Sequence, residues 1–194
     1  MITAQQIKDL RERTGAGIAD VKKALEECGG DMEKAEKRIS ERLGGIAGKK
    51  AGRATGAGLV ESYIHSDGRV GAMIELFCET DFVARNPSFK ELAHDIVMHI
   101  TAMRPVYQAL DAVPTDIWDA EKRRFEEETR AMGKPPAITQ QIVEGKLKAH
   151  FAPMALLDQP FVKDQDKTIR DVINEAIGRF GENIKIGRWA RLGL

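Results

Sequence analysis

The chain has 194 residues, of which 42% are hydrophobic and 31% charged, enough for a proper core and for one domain with a small companion. Lys and Arg together number 30, as do Asp and Glu, so the formal net charge is +0 and no global field favours nucleic acid or an anionic membrane. No apolar run approaches the length that spans a bilayer, and two cysteines, Cys28 and Cys78, make no disulfide scaffold.

Residues 3 to about 43 carry a helical pattern cut into three pieces. Thr3 is placed to cap a first helix with Ile7 and Leu10 on one face, and Thr14-Gly15-Ala16-Gly17 breaks it. A second helix is predicted over 18–27 with Val21, Ala24 and Leu25 inward. Gly29-Gly30 ends it, and Asp31 caps a third that carries Met32, Ala35, Ile39 and Leu43 at helical spacing. From residue 44 the composition turns to Gly, Ala, Lys and Arg. Glycines this dense disfavour regular structure, so residues 46–57 are predicted to be a flexible linker. It would join a front module, residues 1–45, to a body, residues 58–194.

From Leu59 the period shifts towards two. Val60 and Ile64 share one face; after a turn at Ser66-Asp67-Gly68, Val70, Ala72, Ile74, Leu76 and Cys78 share another, as in a β-hairpin. A helix is predicted over 88–103, with Phe89, Leu92, Ala93, Ile96, Val97 and Ile100 as its apolar stripe and Pro105 past its end. Another starts at Val113-Pro114-Thr115 and runs to about Met132. Pro135-Pro136 resets the chain, and residues 138–150 give a further helix with Ile142, Val143, Leu147 and, just beyond, Phe151 inward. A last helix over 168–180 precedes an alternating segment, 182–192, predicted as a closing strand antiparallel to the hairpin. The fold class is therefore α+β: a three-helix front module, then a body in which helices pack on a small antiparallel three-stranded sheet.

Covalent chemistry finds no foothold. Gly15-Ala16-Gly17 lacks the preceding strand and the following Lys-Ser/Thr of a phosphate loop, and is a helix break. His65, His94, His99 and His150 make no metal set, since His94 and His99 are five apart on a helix and no Cys pair supports them. Cys78, inside a strand, suits a small apolar core position better than a nucleophile. No catalytic residue, metal ligand or cofactor is expected.

The most informative stretch is Glu79-Thr80-Asp81-Phe82-Val83-Ala84-Arg85-Asn86-Pro87, where a strand-like run gives way to a helical one. Thr80 and Asp81 can accept hydrogen bonds from the free N–H groups that open a helix, and Pro87 suits a first helical turn. Phe82 is then held on a short, stiff corner, pointing either into the core or out towards something else.

Residues 80–85, preceded by Glu75-Leu76-Phe77-Cys78-Glu79, resemble the signature of the elongation factor Ts family. A second match is Leu10-Arg11-Glu12-Arg13-Thr14-Gly15-Ala16-Gly17-Ile18-Ala19-Asp20-Val21-Lys22-Lys23-Ala24-Leu25. A third is Gln159-Pro160-Phe161-Val162, followed by Asp166-Lys167-Thr168. Three matches in the right order cover nearly the whole chain. The resemblance implies a translation factor that promotes guanine-nucleotide exchange without covalent catalysis. Its implied partner is elongation factor Tu, GDP-bound or nucleotide-free. In the family this corner enters the GTPase domain near its Mg²⁺ site and displaces the ion. Carried over, Phe82 is the wedge, Thr80 and Asp81 orient it, and Val83 finishes the apolar tip. Arg11, Ile18 and Ala19 fall where the family docks its ubiquitin-associated-like front module, and Val162 and Lys163 where the body adds contacts. The family's longer members duplicate their core, and the short length here implies a homodimer giving a 2:2 complex, with no direct nucleic-acid or membrane contact.

Two other functions compete. A ubiquitin-associated-like adaptor would use the front module but leave the corner at 80–83 idle. An RNA- or ribosome-associated factor would use Lys49, Lys50 and Arg53, against the neutral charge and 6% aromatic content. The start at Met1 lacks the basic-then-apolar layout of a secretory signal, so a cytoplasmic protein with reduced thiols is expected.

Overall fold

A computed structural model describes residues 2–130 and 135–194. The chain forms two compact units: one takes the chain as far as Thr101 together with Arg170–Leu194, the other Ala102–Ile169.

In the first unit, α1 (Ala4–Thr14), α2 (Ile18–Glu27) and α3 (Met32–Lys50) follow the predicted order. Thr3 and Gln6 form a reciprocal capping box at the start of α1, and Asp31 accepts from the Lys34 N–H at the start of α3. Leu10, Val21, Ala24, Leu25, Ala35, Ile39 and Leu43 make a shared core, with Ile7 and Met32 at its margin. Gly15 takes φ 64°, and its N–H reaches the Arg11 carbonyl. An L side chain is strained in that left-handed region, so the residue after Thr14 suits glycine.

The linker expected over 46–57 is shortened by the backbone at both ends. Residues 46–50 continue α3, and β1 already begins at Ala57. Tertiary packing outweighs the helix penalty of the glycines. Ala47 is buried, and Ile46 packs on the three-helix core. Gly178 of α8 (Ile169–Phe180) sits so close that a Cβ there would lie 2.4 Å from the Leu43 side chain. Past the helix, the Asn183 amide donates to the carbonyls of Ala51 and Arg53 at 3.3 and 2.8 Å, and the Lys50 ammonium donates to the Gly181 carbonyl. The expected boundary between residues 1–45 and a separate body is thus crossed by direct contacts inside one unit.

β1 (Ala57–Ile64), β2 (Val70–Cys78) and β5 (Lys185–Gly193) form an antiparallel sheet in the order β1-β2-β5. The hairpin register pairs Ile64 with Gly71 and Ala57 with Cys78, and the closing strand pairs Val70 with Gly193 and Phe77 with Lys185. Alternation puts Ala72, Ile74, Leu76, Cys78 and Ile186 inside. α5 (Pro87–Met103) covers that face with Phe89, Leu92, Ile96 and Ile100, all buried. Tyr63 meets His94 of α5 edge-on at 5.7 Å, and Arg191 of β5 donates to the Thr101 carbonyl at 2.9 Å. The closing strand begins at Lys185 rather than at residue 182, because the side chain of Glu182 and both the backbone and side chain of Asn183 bond outside the ladder.

The second unit holds α6 (Thr115–Arg130) and α7 (Pro136–Phe151), with β3 (Pro160–Phe161) and β4 (Asp164–Thr168) forming a small antiparallel hairpin. Val113, Phe125, Val143, Leu147 and Phe151 make its core, and Trp118 stacks on Phe151 at 5.1 Å. The predicted end of α6 at Met132 lies outside the described residues. Among the described residues, no helix is long and apolar enough to cross a membrane.

Candidate partner-docking site

The corner after β2 is built from both ends of the first unit. Residues 81–84 make one short helical turn, α4 (Asp81–Ala84), with Thr80 as its N-cap. The Thr80 hydroxyl oxygen accepts from the Val83 N–H at 3.4 Å, satisfying one of the orphan donors of that turn. Asp81 does not share the capping role expected of it. Its carboxylate pairs with Arg85 at 2.9 Å, and both side chains are exposed. A solvent-facing pair of this kind contributes about 0–1 kcal/mol, so Asp81 is held loosely.

Opposite the turn stands Glu182, in the connection between α8 and β5. One of its carboxylate oxygens accepts from the N–H groups of Glu79 and Thr80 at 3.1 and 3.0 Å, and the other from the Thr80 hydroxyl at 2.6 Å. Beneath lies Cys78, fully buried, whose thiol donates to the Thr80 carbonyl at 3.2 Å. Burial pushes this thiol above its ordinary range, and the Glu182 carboxylate adds to the shift. It stays protonated at neutral pH, which suits a packing residue and not a nucleophile.

These contacts leave Phe82 pointing outward, 81% exposed. Val83 turns the other way and is 5% exposed. The expectation that Val83 finishes an apolar tip is therefore corrected: one helical turn places neighbouring side chains about 100° apart, and Val83 falls on the face that closes over the sheet. Asp81 and Arg85 border a groove of about 580 Å³ that runs along β1 and includes Gly58, Val60 and Phe77.

The other expected contact residues lie in both units. Arg11 is exposed in the last turn of α1. Ile18 and Ala19 open α2 just after the glycine break and are also exposed, Ile18 by 58%. Val162 and Lys163 belong to the second unit, where they form the exposed turn between β3 and β4.

A family model described as Elongation factor TS matches residues 2–180. The chain belongs to the elongation factor Ts family. It is 47% identical to Elongation factor Ts of Fervidobacterium nodosum over 193 residues, 100% of this chain and 98% of that protein. Elongation factor Ts of Solidesulfovibrio magneticus is also 47% identical over 193 residues, covering 100% of this chain and 96% of its own length. With Elongation factor Ts of Rubrobacter xylanophilus the identity is 47% over 190 residues, 98% of this chain and 97% of that protein. The protein is therefore a translation elongation factor of the elongation factor Ts type.

Two residues central to the corner, Glu182 and Asn183, escape a reading of the sequence, which absorbs them into the closing strand. The available signal is Gly181-Glu182-Asn183 itself, a polar run after a glycine that interrupts the alternation. Which backbone groups it serves depends on residues about a hundred positions away.

Proposed function

We propose that this chain binds elongation factor Tu carrying GDP and promotes nucleotide release by displacing Mg²⁺, so that GTP can reload. The observation that carries the proposal is Phe82, 81% exposed on a turn whose backbone is fixed by Thr80 and Glu182. A large aromatic left in water by its own fold is a ready anchor for a partner pocket, and burying it contributes roughly 1.5–3 kcal/mol. Exchange needs no covalent group. A partner that binds the empty GTPase better than the loaded one weakens nucleotide binding by the same factor. Each tenfold loss of nucleotide affinity corresponds to about 1.4 kcal/mol of differential contact. Arg11, Ile18 and Ala19 supply docking surface from the first unit, and Val162 and Lys163 from the second.

The active species is a homodimer. Its support is the outer face of the sheet, where Ile64, Met73 and Leu192 are each more than half exposed and line a depression of about 590 Å³. Apolar side chains gathered on one sheet face mark an interaction surface.

The test is release of fluorescent GDP from elongation factor Tu with this protein present at a small fraction of the GTPase. Many turnovers per molecule are expected, with added Mg²⁺ opposing them. No acceleration, or indifference to Mg²⁺, overturns the proposal. Sedimentation of this protein alone should give the mass of two chains.

A further inference from the structure

We propose that Glu182 and Asn183 are the positioning residues of the Phe82 corner, tying it to the chain that leaves the three amino-terminal helices. The assignment rests on the exchange role proposed above and names residues outside the contact surface that control it.

The geometry is reciprocal. Glu182 accepts three hydrogen bonds from Glu79 and Thr80, two of them from backbone N–H groups that no strand partner satisfies. In return, the Glu79 carboxylate accepts from the Asn183 N–H at 2.6 Å and faces the Arg53 guanidinium at 3.5 Å. Asn183 is 2% exposed, and its side-chain amide spends both donor directions on the carbonyls of Ala51 and Arg53. Two adjacent residues therefore hold the turn that precedes Phe82 with one and the segment after α3 with the other. A four-residue helical turn cannot hold itself, because it is far too short to nucleate. Charge-assisted bonds to a carboxylate are the strong kind, and two acceptor oxygens serving three donors fix the direction of the turn as well as its place. Phe82 makes none of these contacts. Its presentation therefore depends on Glu182 together with the buried Val83, and the amino-terminal helices reach it through Asn183.

Glu182→Ala tests the assignment, with Glu182→Gln as the conservative control and Glu182→Asp as a second variant that keeps the charge but shortens the arm. Gln keeps an oxygen for the two N–H groups, and its amide can donate to the Thr80 hydroxyl. The first readout is hydrogen exchange at the Glu79 and Thr80 amides, which needs no partner protein. Glu182→Ala and Glu182→Asp should speed it at least about tenfold, and Glu182→Gln, which keeps the acceptor but not its charge, should speed it less than either. The second is fluorescent GDP release from elongation factor Tu. Glu182→Ala should lower the maximal rate by about tenfold at unchanged half-saturation, Gln should restore it, and Phe82→Ala/Glu182→Ala should be no slower than Phe82→Ala alone. Unchanged amide protection in both Glu182→Ala and Glu182→Asp overturns the assignment, as do multiplying effects in the double variant. A parent protein that accelerates nothing sinks the exchange role alone, and the amide measurement still decides the clamp.

Discussion

Two places in the first unit put a large apolar side chain into water at the start of a helix, and they are held in opposite ways. Ile18 follows Gly17, an N-cap with no side-chain hydrogen bond, and its turn is shaped by local backbone chemistry, Gly15 at positive φ and the Thr14 hydroxyl accepting from Ala16 N–H at 3.3 Å. Phe82 follows Thr80, an N-cap whose hydroxyl bonds both within the turn and to Glu182, 102 residues away in sequence. The difference matches the roles proposed for them, docking for Ile18 and displacement for Phe82.

Phe82→Ala tests the comparison hardest. Losing a desolvated aromatic anchor of roughly 1.5–3 kcal/mol should lower the maximal GDP-release rate by about 10- to 100-fold. The thermal midpoint should barely move, because the ring is 81% exposed in the free protein. A large drop in stability instead would show the ring serving its own fold.

Ile18→Ala should have a smaller effect of a different kind. Raising the half-saturating concentration of elongation factor Tu–GDP by about 3- to 10-fold, with the maximal rate unchanged, is the expected result of losing uniform binding energy. An equal loss in maximal rate would erase the distinction between the two turns.

Gly17→Ser sharpens the contrast with the least effect. Gly17 sits at φ −63° and ψ 147°, open to any L residue, and a Cβ there would be 3.5 Å from Asp20. Supplying the missing cap should raise stability by a few tenths of a kcal/mol in a denaturant melt and leave GDP release unaltered.

The sequence locates the helices of both units, because caps and apolar spacing are local signals: Thr3 and Asp31 cap, and Leu10, Ile39, Phe89 and Leu147 fall inward. It misjudges residues 46–50, where local glycine content argues against helix and the buried Ala47 and the approach of Gly178 to Leu43 decide for it. The β3–β4 hairpin carries no Asn-Gly or Asp-Gly turn; Val162 and Lys163 occupy its bend, so short-range chemistry gives no warning of it. At the corner, Thr80 as cap is legible and the opposite directions of Phe82 and Val83 are not.

Taken alone, the order of residues determined the α+β class, the antiparallel pairing of hairpin and closing strand, the turn at Thr80 and the family signature. These rest on interactions within a few positions or on alternation along one strand. Only the tertiary structure decided that α3 runs through its glycines, that Val83 closes inward, and that Glu182 and Asn183 brace the corner. Those outcomes belong to contacts between separate elements: Val83 closes over the sheet of β1 and β2, while Gly178 against Leu43 and the bonds of Glu182 and Asn183 join segments more than a hundred residues apart, and packing rather than neighbouring sequence chooses the partners.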